Sequence, residues 1–221
     1  MTPRQHRDDP VSTPDGAGED LDHDLPLVRY RILLPEEWYR IPLGPEECEE
    51  AVDRLVRQRF KGVDNAPHLK ANARKELLDS AADARRNGGL EMYLCLQSAG
   101  PLTIPASLLI TLLPPSAIPA RSMEELLAHT EATADPDTEV DVVGLPSGPA
   151  LRVRRREAPP PQAPPGTPHS VAVDHHLPLP HTDGMLLLSF NTPLPALADA
   201  LARLFDAVAG SLVWVGEEES S

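Results

Sequence analysis

The sequence predicts an α+β fold in which a twisted antiparallel sheet of about seven strands is flanked by helices. Two long apolar runs, at residues 90–97 and 104–113, are separated by a short turn at 98–101, and the other elements are arranged around this hairpin. Runs that are apolar on both alternating faces indicate strands covered on both sides. Further strand-like runs are joined by tight turns, which impose antiparallel pairing, while helical stripes occupy the longer connections.

Length and charge predict one domain between two acidic tails. The chain has 221 residues, enough for a substantial core, and its formal net charge is −14, from 34 acidic and 20 basic residues. We interpret residues 1–26 as a disordered acidic tail, residues 27–215 as the domain, and residues 216–221 as a second acidic tail. Because an acidic body repels phosphate backbones, we expect no binding to nucleic acid.

Cysteine usage and hydropathy favour a cytoplasmic protein. Cys48 and Cys95 are far apart in the sequence and lack the spacing of metal ligands, so we expect neither a disulfide framework nor a zinc site built on them. No apolar segment follows Arg4 and Arg7, so we expect no signal peptide. No apolar run approaches the ~20 residues of a membrane span, and membrane insertion is not expected.

The first half of the chain contains one predicted strand and two predicted helices before the central hairpin. Residues 28–34 alternate apolar and basic side chains, which predicts a strand with one solvated face. We expect a helix to begin at residues 44–45, where proline suits the first helical position, and a second to follow residues 64–65 and end at residues 88–89. Cys48 falls on the apolar stripe of the first helix, which indicates a small buried side chain rather than a nucleophile.

The second half of the chain contains two further helices and four further strands. Ser122 and Glu125 form a predicted capping box at the start of a short helix. Strands are predicted at residues 139–145, 150–156, 170–177 and 185–190. The proline-rich residues 158–168 cannot join a ladder and predict an extended connection, with a docking segment for an aromatic groove as the alternative. The strongest helical stripe begins at residues 192–193 and ends at Gly210.

Two groups of side chains are candidates for binding a protein partner. Trp38 and Tyr39 follow the first predicted strand in a loop, where Trp38 either caps the core or presents an aromatic surface to a partner. Arg152, Arg154 and Arg156 share one face of a predicted strand and are expected to point outward. They could bind an acidic partner or the acidic tail of the same chain, or simply form a solvated edge that prevents aggregation.

A histidine-rich stretch offers only a weak candidate for a metal or small-molecule site. His175 and His176 are adjacent on a predicted strand, so they point to opposite faces and cannot chelate one ion. His175 could still meet His181 or Asp183 from the following loop, but this spacing matches no known set of ligands. We therefore expect solvated histidines and no cofactor.

The sequence carries no catalytic motif. It contains no phosphate-binding G-x-x-x-x-G-K segment, no G-x-S-x-G nucleophile elbow, no H-E-x-x-H pair and no G-x-G-x-x-G loop. No local signal assembles a nucleophile, a base and oxyanion donors. The prediction is that the protein is not an enzyme.

The order of the elements resembles the PsbP-like α/β/α sandwich superfamily. The resemblance rests on two segments, Leu-Pro-Glu-Glu-Trp at residues 34–38 and Leu-Ser-Phe-Asn-Thr-Pro at residues 188–193, with the helix that follows. The same segments look like those of actinobacterial proteins of this type. The superfamily includes a photosystem extrinsic protein, a Ran-binding nuclear protein and actinobacterial lipoproteins. The resemblance implies a protein that binds proteins or small ligands without catalysis.

The prediction is a non-catalytic, cytoplasmic protein-interaction or adaptor protein that uses a sheet edge, its loops or its acidic tail to hold a protein partner. A role accessory to a secretion apparatus follows by analogy alone. The alternative is a small-molecule- or metal-binding domain centred on the histidine-rich last hairpin. The sequence leaves the oligomeric state and the partner open.

Overall fold

The computed structural model describes residues 29–62, 67–99, 102–159, 163 and 165–215. The two acidic tails, the turn of the central hairpin at residues 100–101 and part of the proline-rich connection lie outside these residues. The strands are β1 Tyr30–Arg31, β2 Trp38–Pro42, β3 Gly89–Ala99, β4 Leu102–Leu113, β5 Glu139–Leu145, β6 Gly148–Glu157, β7 Ser170–Pro178, β8 Met185–Thr192 and β9 Val213–Trp214. The helices are α1 Pro45–Arg59, α2 Pro67–Arg86, α3 Met123–Thr133 and α4 Ala198–Gly210.

Seven strands form one antiparallel sheet in the order β2-β3-β4-β8-β7-β6-β5, which confirms the predicted fold class. The hairpins β3–β4, β5–β6 and β7–β8 are all formed as expected. Strand β8 joins the two halves, since it pairs with both β4 and β7, and Phe190 lies opposite Leu108 on one side and Val173 on the other. Strands β2 and β5 are the two edges.

The first strand of the sheet is not the predicted one. Of the predicted strand at residues 28–34, the structure describes residues 29–34, and among these only Tyr30–Arg31 is a strand, which pairs with Val213–Trp214 in a separate two-stranded sheet. The edge of the main sheet is formed instead by Trp38–Pro42, which was predicted to start as a loop. Residues 28–34 alternate apolar and basic side chains, whereas Trp38–Pro42 does not alternate, so the alternation favoured the wrong segment as the first strand of the sheet.

The sheet is covered on both faces. Helix α4 packs on the face that carries Leu108, Ile110 and Phe190. Helices α1 and α2 cover one end of the opposite face, around Met92, and α3 covers the other end, around Leu151. We call these the α4 face and the α3 face. Within the described ranges, none of the helices has the length and apolar character needed to cross a membrane.

Helix boundaries follow local signals with two differences from expectation. Ser122 Oγ accepts a hydrogen bond from the Glu125 amide at 3.1 Å, but the Glu125 carboxylate accepts from the amide of Arg121 rather than of Ser122, so the capping box is only half formed. The last helix begins at Ala198, after a short 3-10 turn at Pro195–Leu197, rather than at residues 192–193. Leu197 is consequently exposed instead of lying on the apolar stripe.

Glycines make the turn from α2 into β3 possible. Gly88 adopts a φ of +79°, a conformation that residues with a Cβ rarely adopt. At Gly89 an added Cβ would lie 2.7 Å from the carbonyl oxygen of Ala84, so only glycine allows the strand to start this close to the helix. The predicted end of α2 at these two residues is confirmed.

Three aromatic rings hold α4 against the centre of the sheet. Phe190 of β8 stacks on Phe205 of α4 with ring centroids 4.8 Å apart and an interplanar angle of 14°. Trp38 meets both rings edge-on, at 6.5 Å and 6.4 Å. Phe190 and Phe205 are fully buried. Such contacts stabilise by about 0.5–1.5 kcal/mol each beyond the area that they bury.

Replacing Phe190 should test this cluster. We expect Phe190→Ala to lower the free energy of unfolding by about 3–5 kcal/mol, because it leaves a cavity between Trp38 and Phe205. Leu69→Ala, at an exposed site on α2, should cost less than about 0.5 kcal/mol. Urea denaturation measures both values, and similar losses for the two variants would contradict the assigned core.

Candidate functional site

Of the two aromatic candidates, Trp38 belongs to the packing of the domain and Tyr39 is half-buried at its surface. Trp38 is only 8% exposed and lies in the aromatic cluster under α4, so it caps the core and the alternative, a partner-facing tryptophan, is wrong. Tyr39 lies on the opposite face of β2 and packs beside α1, where its hydroxyl accepts a hydrogen bond from Gln58 Nε2 at 2.6 Å. A tyrosine placed in this way has a structural role, although its ring remains half-buried.

Arg152 and Arg154 do share a face of β6, as predicted, but they do not point outward. That face is the α4 face, and both guanidinium groups are covered by α4. Arg152 Nε donates to Asp206 Oδ1 at 2.7 Å, and Arg154 Nη2 donates to Asp199 Oδ1 at 2.5 Å. The expectation of a solvated basic patch is therefore wrong for these two residues. Helix α4, which is distant from β6 in the sequence, supplies the two aspartates that neutralise them.

Asp206 also holds a fully buried histidine. His175 is 1% exposed, its ring meets Phe190 edge-on, and its Nε2 lies 3.0 Å from the same Asp206 Oδ1 that Arg152 contacts. Because the carboxylate accepts, Nε2 carries the proton, and Nδ1 has no partner in the described structure. His175 is thus a core residue rather than a solvated one.

The electrostatics of this cluster favour ionised carboxylates. Burial alone would raise the pKa of Asp206, but hydrogen bonds from His175 and Arg152 outweigh it and hold that pKa below its ordinary value. The hydrogen bond and the charge of Arg154 lower the pKa of Asp199 in the same way. Each arginine under α4 is therefore paired with a carboxylate that stays charged at neutral pH.

Arg156 is the member of the arginine group that stays exposed. No ion pair joins it to any residue that the structure describes. It lines a cleft of about 730 Å³ at one end of the sheet, between the connection from α3 to β5 and the turn before α4. Asp135, Asp137 and His169 line the same cleft.

A second polar cluster lies on the α3 face, and sequence reasoning did not assemble it. The carboxylate of Asp174 accepts hydrogen bonds from Ser189 Oγ and from Arg155, which also binds Glu157. His176 shares this face with Asp174, and burial lowers its pKa. The Ser189 hydroxyl donates to Asp174, and no hydrogen bond of the described residues joins it to His176.

The weak metal candidates are not brought together. His175 lies under α4, whereas His181 and Asp183 are exposed in the loop between β7 and β8. His181 adopts a φ of +61°, as turn residues occasionally do. In the described part of the chain, no three His, Cys, Asp or Glu side chains are grouped so that they could hold a metal ion.

The outer edge of β5 is the feature of the molecule that is open to a partner. Strand β5 pairs with β6 along its full length, in an unbroken register from Glu139 opposite Arg154 to Leu145 opposite Gly148. Nothing in the described residues pairs with its other side. In an antiparallel pair every second residue directs its N–H and C=O groups away from the partner strand, so β5 presents a row of backbone groups outward.

The chain segment that contains β5 is acidic, whereas the strand beside it is basic. Residues 122–151 contain seven acidic residues and no lysine or arginine. These acids are Glu124, Glu125, Glu131, Asp135, Asp137, Glu139 and Asp141. Arg152 and Arg154 of β6 lie 3.8 Å and 3.6 Å from Glu139, so the acidic character of this edge is partly neutralised there. The sheet edge was predicted only in general terms, and this run of acids was the signal that could have located it.

Comparisons with known proteins add little to this geometry. No protein-family model and no curated protein matches the chain. Among solved structures, the Ran-binding protein Mog1p of Saccharomyces cerevisiae is 16% identical with a TM-score of 0.40, over 56% of this chain and 77% of Mog1p. An overlap this loose carries no argument about partners, and kinship with actinobacterial proteins stays a prediction.

Replacing Asp206 should weaken the contact between α4 and β6 in a pH-dependent way. We expect Asp206→Asn to lower the free energy of unfolding by about 1–2 kcal/mol at neutral pH. This loss is small for charged hydrogen bonds, because Asp206 is 38% exposed and solvent screens its charge. The pKa of Asp206 is lowered by folding. The stability that ionised Asp206 adds to the fold is therefore fully present above pH 3.8, the ordinary pKa of the group. That stability is lost as the pH falls through the lower pKa of the folded protein.

The stability difference between wild type and Asp206→Asn should consequently shrink as the pH falls below about 4. Asp183→Asn, the same chemical change at an exposed loop residue, should show little difference at any pH. Thermal unfolding followed by circular dichroism from neutral to acid pH measures both. A difference for Asp206→Asn that stays constant through the acid range would contradict the ion pair.

Proposed function

We propose that the protein is a non-catalytic protein-interaction protein that binds an extended segment of a partner along the free edge of β5. The single observation that supports this proposal is the seven-residue strand Glu139–Leu145, which is paired on one side only among the described residues. An extended peptide that lies beside such a strand completes the backbone hydrogen bonds of the edge and becomes an eighth strand of the sheet. Strand addition of this kind is a common way for proteins to recognise peptides.

The edge at β5 is suited to this role, and the edge at β2 is not. Strand β2 has five residues, ends in Pro42, which has no N–H to donate, and packs beside α1. Strand β5 contains no proline, no lysine and no bulge. Proline, lysine and bulges normally protect an edge from pairing with another chain, so their absence from β5 favours a docking edge. The charged residues that β5 does carry, Glu139 and Asp141, oppose pairing with an acidic strand but not with a basic one.

The rigidity of β5 also supports the proposal. Its partner strand β6 is held to α4 by Arg152 and Arg154 and to α3 by Leu151 and Val153, which are buried. A peptide therefore meets a strand whose position is already fixed, and the binding reaction does not have to order it.

We further propose that the protein acts in the cytoplasm. Cys48 and Cys95 form no disulfide and are both buried, which agrees with a reducing compartment. An accessory role beside a secretion apparatus is retained as a hypothesis by analogy only.

A substitution on the exposed side of β5 should abolish peptide binding without disturbing the core. Val142 is 46% exposed, and Val142→Lys adds to the edge a charge of the kind that natural edge strands use to prevent pairing. Linear peptides selected from an unbiased displayed library on the full chain should lose about tenfold in affinity or more on Val142→Lys.

A matched control is available in Val213, which is 45% exposed and lies in the separate two-stranded sheet. Peptide affinities for Val213→Lys should stay within about twofold of wild type. Biolayer interferometry with each immobilised variant gives the affinities. The proposal fails if the selected peptides bind Val142→Lys as tightly as wild type, or if both lysine variants weaken binding equally.

A further inference from the structure

We infer that the segment received by β5 is basic, with lysine or arginine alternating with apolar residues. The inference rests on the proposed function, since it names the class of partner for the same edge. Three observations carry it: the charge around β5, the alternation of its side chains between the two faces of the sheet, and the charge of the other segments that could occupy the edge.

The domain neutralises one of the two acids on β5 and leaves the other without an ion pair. Glu139 forms ion pairs with Arg152 and Arg154, at 3.8 Å and 3.6 Å. Asp141 lies directly opposite Arg152 in the register, but the Arg152 guanidinium is 13% exposed and is engaged with Asp206 under α4. Asp141 makes no ion pair with a residue that the structure describes. Asp141 is therefore the carboxylate of this edge that is left for an external cation.

The alternation of β5 dictates where those cations must lie. Glu139 and Asp141 are on the α4 face, whereas Val140 and Val142 are on the α3 face, where Val140 packs near α3. A strand added beside β5 places its own side chains on the same two faces. Basic residues two positions apart would lie beside the acids, and the apolar residues between them would cover Val142. Opposite charges on neighbouring strands stabilise the pair, and like charges destabilise it.

The same rule disfavours the two other occupants that could reach this edge. A second copy of the chain pairing through β5 would add two more carboxylates and no cation to this edge, because β5 contains no lysine or arginine. The terminal segments of this chain are acidic too, since residues 1–26 carry seven acids and two arginines, and residues 216–221 carry three acids. A basic segment of another protein is the occupant that the charges favour.

The test uses the full chain and synthetic peptides. The basic probe is Val-Lys-Val-Lys-Val-Lys-Val, the charge control replaces each lysine with glutamate, and the backbone control replaces each valine with proline, which retains the lysines but cannot join a ladder. Amide chemical shifts locate each peptide on the protein, and fluorescence anisotropy gives the affinities. We expect the basic probe to shift the amides of Glu139–Leu145 and to bind at least about tenfold more tightly than either control.

Charge reversal on the protein gives the second arm. Asp141→Lys should weaken the basic probe about tenfold, because it replaces an attraction with a repulsion at an exposed residue without removing an internal ion pair. The matched control is Glu76→Lys, the same change of charge on the exposed side of α2, and it should alter the affinity by less than about twofold.

The outcomes separate the two levels of the account. If the glutamate peptide shifts the β5 amides and binds as tightly as the basic probe, the basic class is wrong while strand addition stands. If Asp141→Lys leaves the affinity of the basic probe unchanged, the basic class is overturned in the same way. If the proline peptide binds as tightly as the basic probe, strand addition itself is wrong. If no peptide shifts the β5 amides, both proposals fall.

Discussion

The stack of Phe190 on Phe205 is the contact on which the rest of this structure depends. It joins the central strand β8 to α4, and Trp38 closes it from the edge strand β2. Because these rings fix the position of α4 over the sheet, they also fix which side chains the acids of α4 contact. Asp206 lies against His175 and Arg152, and Asp199 lies against Arg154. Aromatic packing thus determines which charges are neutralised inside the domain.

The consequence of that pairing appears on the neighbouring strand. Because α4 engages the arginines of β6, Asp141 of β5 is left without an internal counterion, although Arg152 lies opposite it. Strands β8 and β7 lie inside the sheet and are covered on both faces, whereas Asp141 lies on the edge strand β5. Strand β5 therefore presents outward-facing backbone groups beside Asp141, a carboxylate without an ion pair among the described residues, and this is the physical basis for the proposed binding of a basic strand.

The elements that could be predicted from the sequence are those defined by local signals. The hairpins β3–β4, β5–β6 and β7–β8 follow from apolar runs with turn residues between them, and α1 follows from Pro45 and a regular stripe. Arg152 and His175 were misjudged for one reason: a polar residue on a strand indicates solvent only when nothing covers that face. The acids that cover them come from α4, far away in the sequence, and no alternation pattern can show such a partner. Trp38 caps the core, one of the two interpretations that the sequence offered, but its contacts with β8 and α4 could not be read from its local sequence.

The central claim is that β5 is a formed strand with one open side, and amide hydrogen exchange resolved by residue tests it most directly. The account predicts alternation along Glu139–Leu145, with slow exchange for amides bonded to β6 and fast exchange for the amides between them, while the amides of β7 and β8 are uniformly slow. Uniform protection along β5 in the free protein would contradict the account, because it would mean that the edge is already covered. Uniformly fast exchange would contradict it as well, because β5 would then not be a strand on which a partner could dock.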